Sequence, residues 1–406
     1  MTGATGFLGG ALVESLVDSG RSVRALVRSD AAAARMVALG VEPVFGDLLD
    51  RSALEAGLAG CDVVYHVAGV NAFCLPDPRP LFQVNVAGSR SIALAAAAAG
   101  VGRLVYTSSA ATTDVQRPAT GRPGVEPRFL SRYAQSKTEA ERAVLEVADQ
   151  TGLAVVCVNP ASVQGPGRTS GTARLLIGYL NGTLRVAVDG PLNVIDIADC
   201  TRGHILAAER GVPGERYLLC GASTTLRAGL QLLGRLTGIE DAPRFLPPGV
   251  AFAAAAGVEV VARARRRRSS FCREMVRTLI EGHTYDGSGA ARDLGLVYAP
   301  LETTMRRTIA WYIEQGLLTR PLPGFTGDPA EDPELPLPAG YPGRAGQGRP
   351  LSRAGVGARR GGPGRRIVNR FSVPCMSRRM LAWWSARMAT AAPTVKSTSA
   401  HEPPNT

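Results

Sequence analysis

The sequence opens on a glycine-spaced turn that restricts the folds available to it. Thr2 to Gly10 read TGATGFLGG, and the glycines Gly3, Gly6 and Gly9 lead into an apolar helical run of Ala11, Leu12, Leu16 and Val17. Glycines so spaced mark a strand-to-helix turn that receives a pyrophosphate. Gly3 permits the turn, Gly6 lets backbone N–H groups approach phosphate oxygens, and Gly9 lets the helix pack closely on its strand. The helix start adds partial positive charge. Thr5, Phe7 and Leu8 lie in the same turn and join Gly3 and Gly6 as candidate cofactor contacts. Such a turn follows a buried central strand, whereas here Met1 begins the turn itself. The reading therefore expects a start about five to ten residues upstream, or a gap or compensating shift at the centre of the sheet.

Beyond the turn, short apolar runs alternate with helical patterns, as a doubly wound parallel sheet requires. The run Val23 to Val27 reads as a strand ending at Arg28. About 20 residues past the glycines, an acid would accept from the ribose 2′-hydroxyl of NAD, whereas arginine pairs with the 2′-phosphate of NADP. Arg28 favours NADP(H), with NAD(H) the alternative; an arginine merely solvated after a strand, near Asp30, is the plain reading. After a helix from Ala31 to Leu39 and a strand ending in Phe45, GDLLD places Asp47 and Leu48 at a carboxyl-end edge, near the adenine. Helix Arg51 to Leu58 leads to strand Asp62 to Val67, followed by Ala68 and Gly69. His66 sits within that apolar run and reads as a core histidine rather than a ligand or base.

A helix from Leu81 to Ala99 carries Asn85, whose amide needs partners and is either a structural bridge or part of a proton relay. Strand Arg103 to Tyr106 ends in Thr107, Ser108 and Ser109, placing hydroxyls at the ligand edge. YAQSK follows, with Tyr133 and Lys137 four apart on one helix face. A phenol of pKa near 10 serves as acid or base at neutral pH only when a cation stabilises its phenolate. Lys137 is placed to be that cation and to hydrogen-bond the nicotinamide ribose.

These motifs resemble the extended short-chain dehydrogenase/reductases, in the branch of dihydroflavonol 4-reductase-like proteins and hopanoid-associated sugar epimerases. The resemblance rests on TGATGFLGG, GDLLD, HVAG at His66 to Gly69, NVAGS at Asn85 to Ser89, YTSSA at Tyr106 to Ala110, YAQSK, and NPASVQGPG at Asn159 to Gly167. It runs on through GERYLLCG at Gly214 to Gly221 to a helix ending near Leu318. It implies a hydride transfer in which Ser109 orients the substrate oxygen, Tyr133 exchanges its proton, Lys137 activates the phenol and Asn85 acts as relay. The loop from Asn159 would bend over the nicotinamide, making Asn159 and Ala68 candidate cofactor contacts. A reductase, a sugar epimerase and a non-catalytic dinucleotide sensor all remain open.

The resemblance implies a domain over 1–320, with cofactor binding mainly in 1–165 and a small substrate lobe drawn mainly from 166–320. Asp196 and Asp199 read as cap and surface residues. The segment from Thr112 to Arg132 holds four arginines against Asp114 and Glu126, which fits either an anionic substrate or a variable surface loop. The small apolar run Val250 to Ala264, followed by Arg265 to Arg268, reads as a packed lobe helix with a solvated basic turn; membrane-surface contact is the minor reading.

Composition adds limits. The 406 residues are 45% hydrophobic and 20% charged, as in globular proteins. Seven scattered cysteines without CxxC spacing speak for a reducing, cytoplasmic setting and against a metal site or a disulfide framework. The opening shows no signal-peptide pattern, and no apolar run has the length of a membrane span. Much of the net charge of +12 lies in 321–406, where eleven Arg and one Lys face five acids among prolines and glycines. Such a tail is expected to be disordered. The expected partner is a small-molecule substrate, not nucleic acid, and a homodimer is left open.

Overall fold

Parallel strands need a helix to carry the chain back to the same edge, so each short apolar run here is followed by an amphipathic helix. The computed structural model describes residues 1–116, 129–267, 269 and 271–325. Helix α1 (Phe7–Asp18) precedes β1 (Arg24–Val27), α2 (Asp30–Ala38), β2 (Glu42–Phe45), α3 (Arg51–Leu58) and β3 (Val63–His66). Then come α4 (Arg79–Phe82), a π-helical stretch (Gln83–Gly88), α5 (Ser89–Ala98), β4 (Arg103–Thr107) and a 3₁₀ segment (Ala110–Gln116). Helix α6 (Arg132–Thr151) leads to β5 (Val155–Pro160), β6 (Ser162–Gln164), α7 (Ala173–Leu180), β7 (Val186–Ala187) and β8 (Pro191–Asp196). The chain continues with α8 (Ile197–Arg210), β9 (Arg216–Leu219), β10 (Ala222–Thr225), α9 (Leu226–Thr237) and β11 (Arg244–Phe245). Four helices follow: α10 (Pro248–Ala264), α11 (Arg273–Ile280), α12 (Ser288–Leu294) and α13 (Leu301–Glu314).

Strands β3, β4, β5 and β9 form one parallel sheet in that order, and β1 pairs with β2 in a second. Met1 and Thr2 lie between the two. Thr2 donates its N–H to Tyr65 O (3.0 Å), Val67 donates to Thr2 O (3.3 Å), and Leu26 donates to Met1 O (2.9 Å). The Met1 ammonium donates to Arg24 O at 2.7 Å, and its burial pulls its pKa down to about 6. Two residues thus bridge the sheet centre where the sequence pattern calls for a full strand.

Alternation along the strands feeds two apolar layers. Val105, Val156 and Val158 face Leu12, Leu16 and Leu206 of α1 and α8. Leu104, Tyr106, Val155 and Cys157 face Ile92, Ala96, Val144 and Val147 of α5 and α6. In the lobe, β8 pairs antiparallel with β10 and parallel with β6, and β7 pairs with β11. Residues from α7, α9 and α13, among them Leu176, Leu233 and Ile309, fill its core.

Two expectations need correction, the absence of a disulfide and the surface place of Asp199. The sequence pattern reads against a disulfide, yet Cys74 and Cys272 are bonded across 198 residues, with Cα atoms 5.7 Å apart. Spacing rules see only local pairs, and this one is made by the lobe folding back over the loop after β3. Asp196 caps α8 as its place before the helix suggests, Oδ1 accepting from Ala198 N–H at 2.7 Å, and is buried there. Asp199 is half-buried and accepts from Ala299 N–H, and burial raises its pKa to about 6. Arg117, Arg122, Glu126, Arg128, Arg268 and the tail from 326 lie outside the described residues. Among the described residues no helix is long and apolar enough to cross a membrane.

Candidate active site

The glycine turn accepts hydrogen and nothing larger at two positions. Gly3 has φ +74°, and a Cβ there would stand 2.6 Å from Ala68 N; at Gly9 it would stand 2.0 Å from Gly3 O. Helix α1 begins after Gly6 with no side-chain cap, so the N–H groups of Phe7, Leu8 and Gly9 face outward without helical acceptors. A tight turn ending in free backbone donors at a helix N-terminus fits a pyrophosphate. Thr2 Oγ1 pairs with His66 Nδ1 (2.7 Å) and accepts from Ala68 N–H (3.3 Å), and His66 Nε2 pairs with Ser89 Oγ (2.9 Å). Burial, then the Lys137 charge, holds the His66 pKa down to about 3, so it is a neutral bracket behind the turn.

Arg28 follows β1 with 79% of its side chain exposed, and its guanidinium is 3.8 Å from the Asp47 carboxylate. Asp47 Oδ1 accepts from Leu49 N–H, and Leu48 is buried against Gly88. Arg35 of α2 donates to Thr5 O at 3.3 Å, placing a second guanidinium at the turn.

Ser109, just past β4, and Tyr133, in the first turn of α6, are brought together at the carboxyl edge of the sheet. Ser131 caps that helix through Ala134 N–H (3.0 Å), which fixes the phenol's position. Burial raises the Tyr133 pKa, while the neighbouring Ser109 hydroxyl and then the Arg168 charge pull it back. Lys137, one turn on and buried, donates to Tyr106 Oη (3.0 Å) and Thr107 O (2.7 Å). Burial lowers its pKa to about 8, against the opposing pull of Glu141.

Asn85 sits in the π-helical stretch, where the widened turn aims its amide inward. Its Oδ1 accepts from Val70 N–H (2.7 Å), and its Nδ2 donates to Val70 O (3.0 Å) and Ser136 Oγ (2.9 Å). Of the two roles open to it, the bridge is the one its contacts make. Asn159 is wholly buried; its Nδ2 donates to Glu141 Oε2 (2.7 Å) and Thr112 Oγ1 (2.8 Å). Its amide nitrogen therefore braces the Ser109 loop, while its Oδ1 finds no hydrogen-bond partner among the described residues. Glu141 completes that brace, accepting from Thr112 Oγ1 (3.2 Å) and Arg216 Nε (2.8 Å).

Several residues at the site carry no local sequence signal. Phe73 packs on Tyr133 with ring centroids 5.9 Å apart. Glu274 of α11 accepts from Cys74 N–H (3.0 Å) and Arg132 N–H (2.6 Å), joining the Phe73 loop to the start of α6. Arg168 lies with its guanidinium carbon 5.5 Å from the Phe7 ring centroid. Only its place at the end of NPASVQGPGR pointed toward the site.

A parallel sheet with an uncapped glycine turn at its carboxyl edge, beside a serine, a tyrosine and a lysine, defines a dinucleotide-dependent α/β enzyme. The chain belongs to the NAD-dependent epimerase/dehydratase family, within the extended short-chain dehydrogenase/reductases, and the family profile matches residues 1–220. It is 32% identical over 335 residues to sterol demethylase protein B of Methylococcus capsulatus, covering 78% of this chain and 99% of that one. It is 35% identical over 304 residues to the 4-hydroxy-2-methyl-3-oxo-4-farnesyl-3,4-dihydroquinoline-1-oxide ketoreductase of Stigmatella aurantiaca, covering 73% and 90%. Among solved structures, a nucleoside-diphosphate-sugar epimerase of Pseudomonas aeruginosa superposes with TM-score 0.61 at 27% identity, covering 78% and 98%.

Proposed function

We propose that this chain is an NADP(H)-dependent ketone reductase and secondary-alcohol dehydrogenase, with its cofactor held mainly by 1–165 and its substrate by a lobe within 166–320. The observation that carries the reading is the gathering of Ser109, just past β4, and Tyr133, in the first turn of α6, at the sheet's carboxyl edge, with the buried Lys137 ammonium one helical turn away. NADP(H), bound along the glycine turn, supplies or accepts the hydride. Ser109 Oγ orients the substrate oxygen, and Tyr133 Oη gives that oxygen a proton on reduction or takes one on oxidation. The Lys137 ammonium has three N–H groups, two of them engaged, which leaves one for a ribose hydroxyl. Its charge, with that of Arg168, favours the phenolate that Tyr133 must visit. Gly3, Thr5, Gly6, Phe7, Leu8 and Ala68 line the pyrophosphate turn, and Asp47 with Leu48 borders the adenine. Arg28 and Arg35 supply the positive charge that a 2′-phosphate requires.

Two measurements test this. Replacing Tyr133 by Phe should abolish turnover of NADPH with a ketone panel while leaving NADPH binding intact; retained turnover refutes the mechanism. Titration should show NADPH binding more tightly than NADH, and the preference should collapse in Arg28→Ala with Arg35→Ala. The likeness to the Pseudomonas epimerase supports a second reading, sugar epimerisation, which would form product without net change in nicotinamide absorbance.

A further inference from the structure

Helix α10 shows solvent the kind of face that a surface helix usually hides. Of its seventeen residues only Ala251 and Ala255 are buried, packed with Val188 and Val276, while Phe252 is half-buried beside them. Its outward stripe is Ala253, Gly257, Val260, Val261 and Ala264, with Val260 65% exposed and Val261 41% exposed. The outward face of a helix in water normally carries charge. Here Glu259 is turned aside to Arg273, at 2.9 Å, and Arg263 stands at the end. Directly after the helix come Arg265, Arg266 and Arg267, all exposed, with Arg266 in a left-handed turn at φ 48°. Among the described residues no salt bridge engages Arg263, Arg265, Arg266 or Arg267.

We propose that the outward face of α10 and the arginine turn after it dock on an anionic phospholipid bilayer. The helix would lie along the surface for about 25 Å, at 1.5 Å per residue, with its valines in the headgroup boundary and its arginines on lipid phosphates. An uncharged stripe continuing into Arg265, Arg266 and Arg267, unpaired among the described residues, complements a surface that is apolar below and anionic above. A protein groove that took small residues such as Ala253 and Gly257 would leave those cations without the phosphates that match them. Docking there has a structural consequence, because α10 packs on α11, and Glu274 of α11 holds both the Phe73 loop and the start of the Tyr133 helix. The surface that meets lipid is thereby tied to the candidate site.

The test uses the full chain sedimented with vesicles of phosphatidylcholine, with and without phosphatidylglycerol. Binding is expected only to the anionic vesicles and should weaken as salt rises. Replacing Arg265, Arg266 and Arg267 by Gln should cost roughly fivefold per residue, on the order of a hundredfold together. Val260→Gln with Val261→Gln should cost about tenfold through lost apolar insertion. Both variants leave the arginine-rich segment beyond Pro321 intact, so undiminished binding in either one overturns the proposal. Equal binding to pure phosphatidylcholine overturns it as well, as does vesicle-free self-association that the valine variant abolishes.

Discussion

Replacing Glu141 by Gln changes one oxygen to nitrogen and should cost about 3 kcal/mol. The carboxylate is 3% exposed and takes three donors on two oxygens: Arg216 Nε on one, Asn159 Nδ2 and Thr112 Oγ1 on the other. Glutamine offers one oxygen and two N–H groups, so at least one neighbouring donor would face another donor. Breaking a buried ion pair costs about 3–5 kcal/mol, and the 37% exposure of Arg216 lets water recover part of it. A stranded donor adds about 1 kcal/mol. Because roughly 2 °C follow each kcal/mol in a domain of this size, the midpoint in calorimetry should fall by about 6 °C. Glu141 also raises the Lys137 pKa, so the variant's activity should begin to fall at lower pH than the parent's. A stability loss under about 1 kcal/mol, together with an unmoved pH profile, would refute this account of the brace.

Lys137 is held at about 8 by burial, and its ammonium is the working form, so kcat/KM should decline as pH rises through about 8. The sign for stability is opposite: between about 8 and the unfolded value of 10.5 the unfolded chain binds the extra proton, so this residue's contribution to stability rises with pH. Gly9→Ala would drive a methyl into Gly3 O, and isothermal titration should show NADPH affinity reduced at least about tenfold. Thiol titration of the unfolded protein should rise by two on reduction, from Cys74 and Cys272, and Cys74→Ser should lower stability by about 2–4 kcal/mol. If the thiol count does not change on reduction, that bond is absent.

Much of the frame could be read from local rules. The glycine spacing that makes α1 start uncapped, the alternation of strands and helices, and the four-residue step from Tyr133 to Lys137 are all properties of short segments. Backbone sterics and helical pitch act over a few residues, so a sequence displays them directly. His66 as a core histidine belongs with these, since its apolar neighbours announce the burial.

Partnerships between distant segments were another matter. Asn85 and Asn159 look alike in sequence as polar residues near the site. Only packing shows that one pins Val70 to α6 while the other joins Glu141 behind Ser109. The Cys74–Cys272 bond, the Glu274 link to Arg132 and the tilted packing of Phe73 on Tyr133 depend on where the lobe returns to the sheet. The sequence by itself determined the turn, the strand order of the motifs and the helix that carries Tyr133 and Lys137, because those follow from dihedral preference and periodicity. Tertiary structure alone decided which buried donor meets which acceptor and which helix face stays bare, because those follow from the paths of chain segments as much as 200 residues apart.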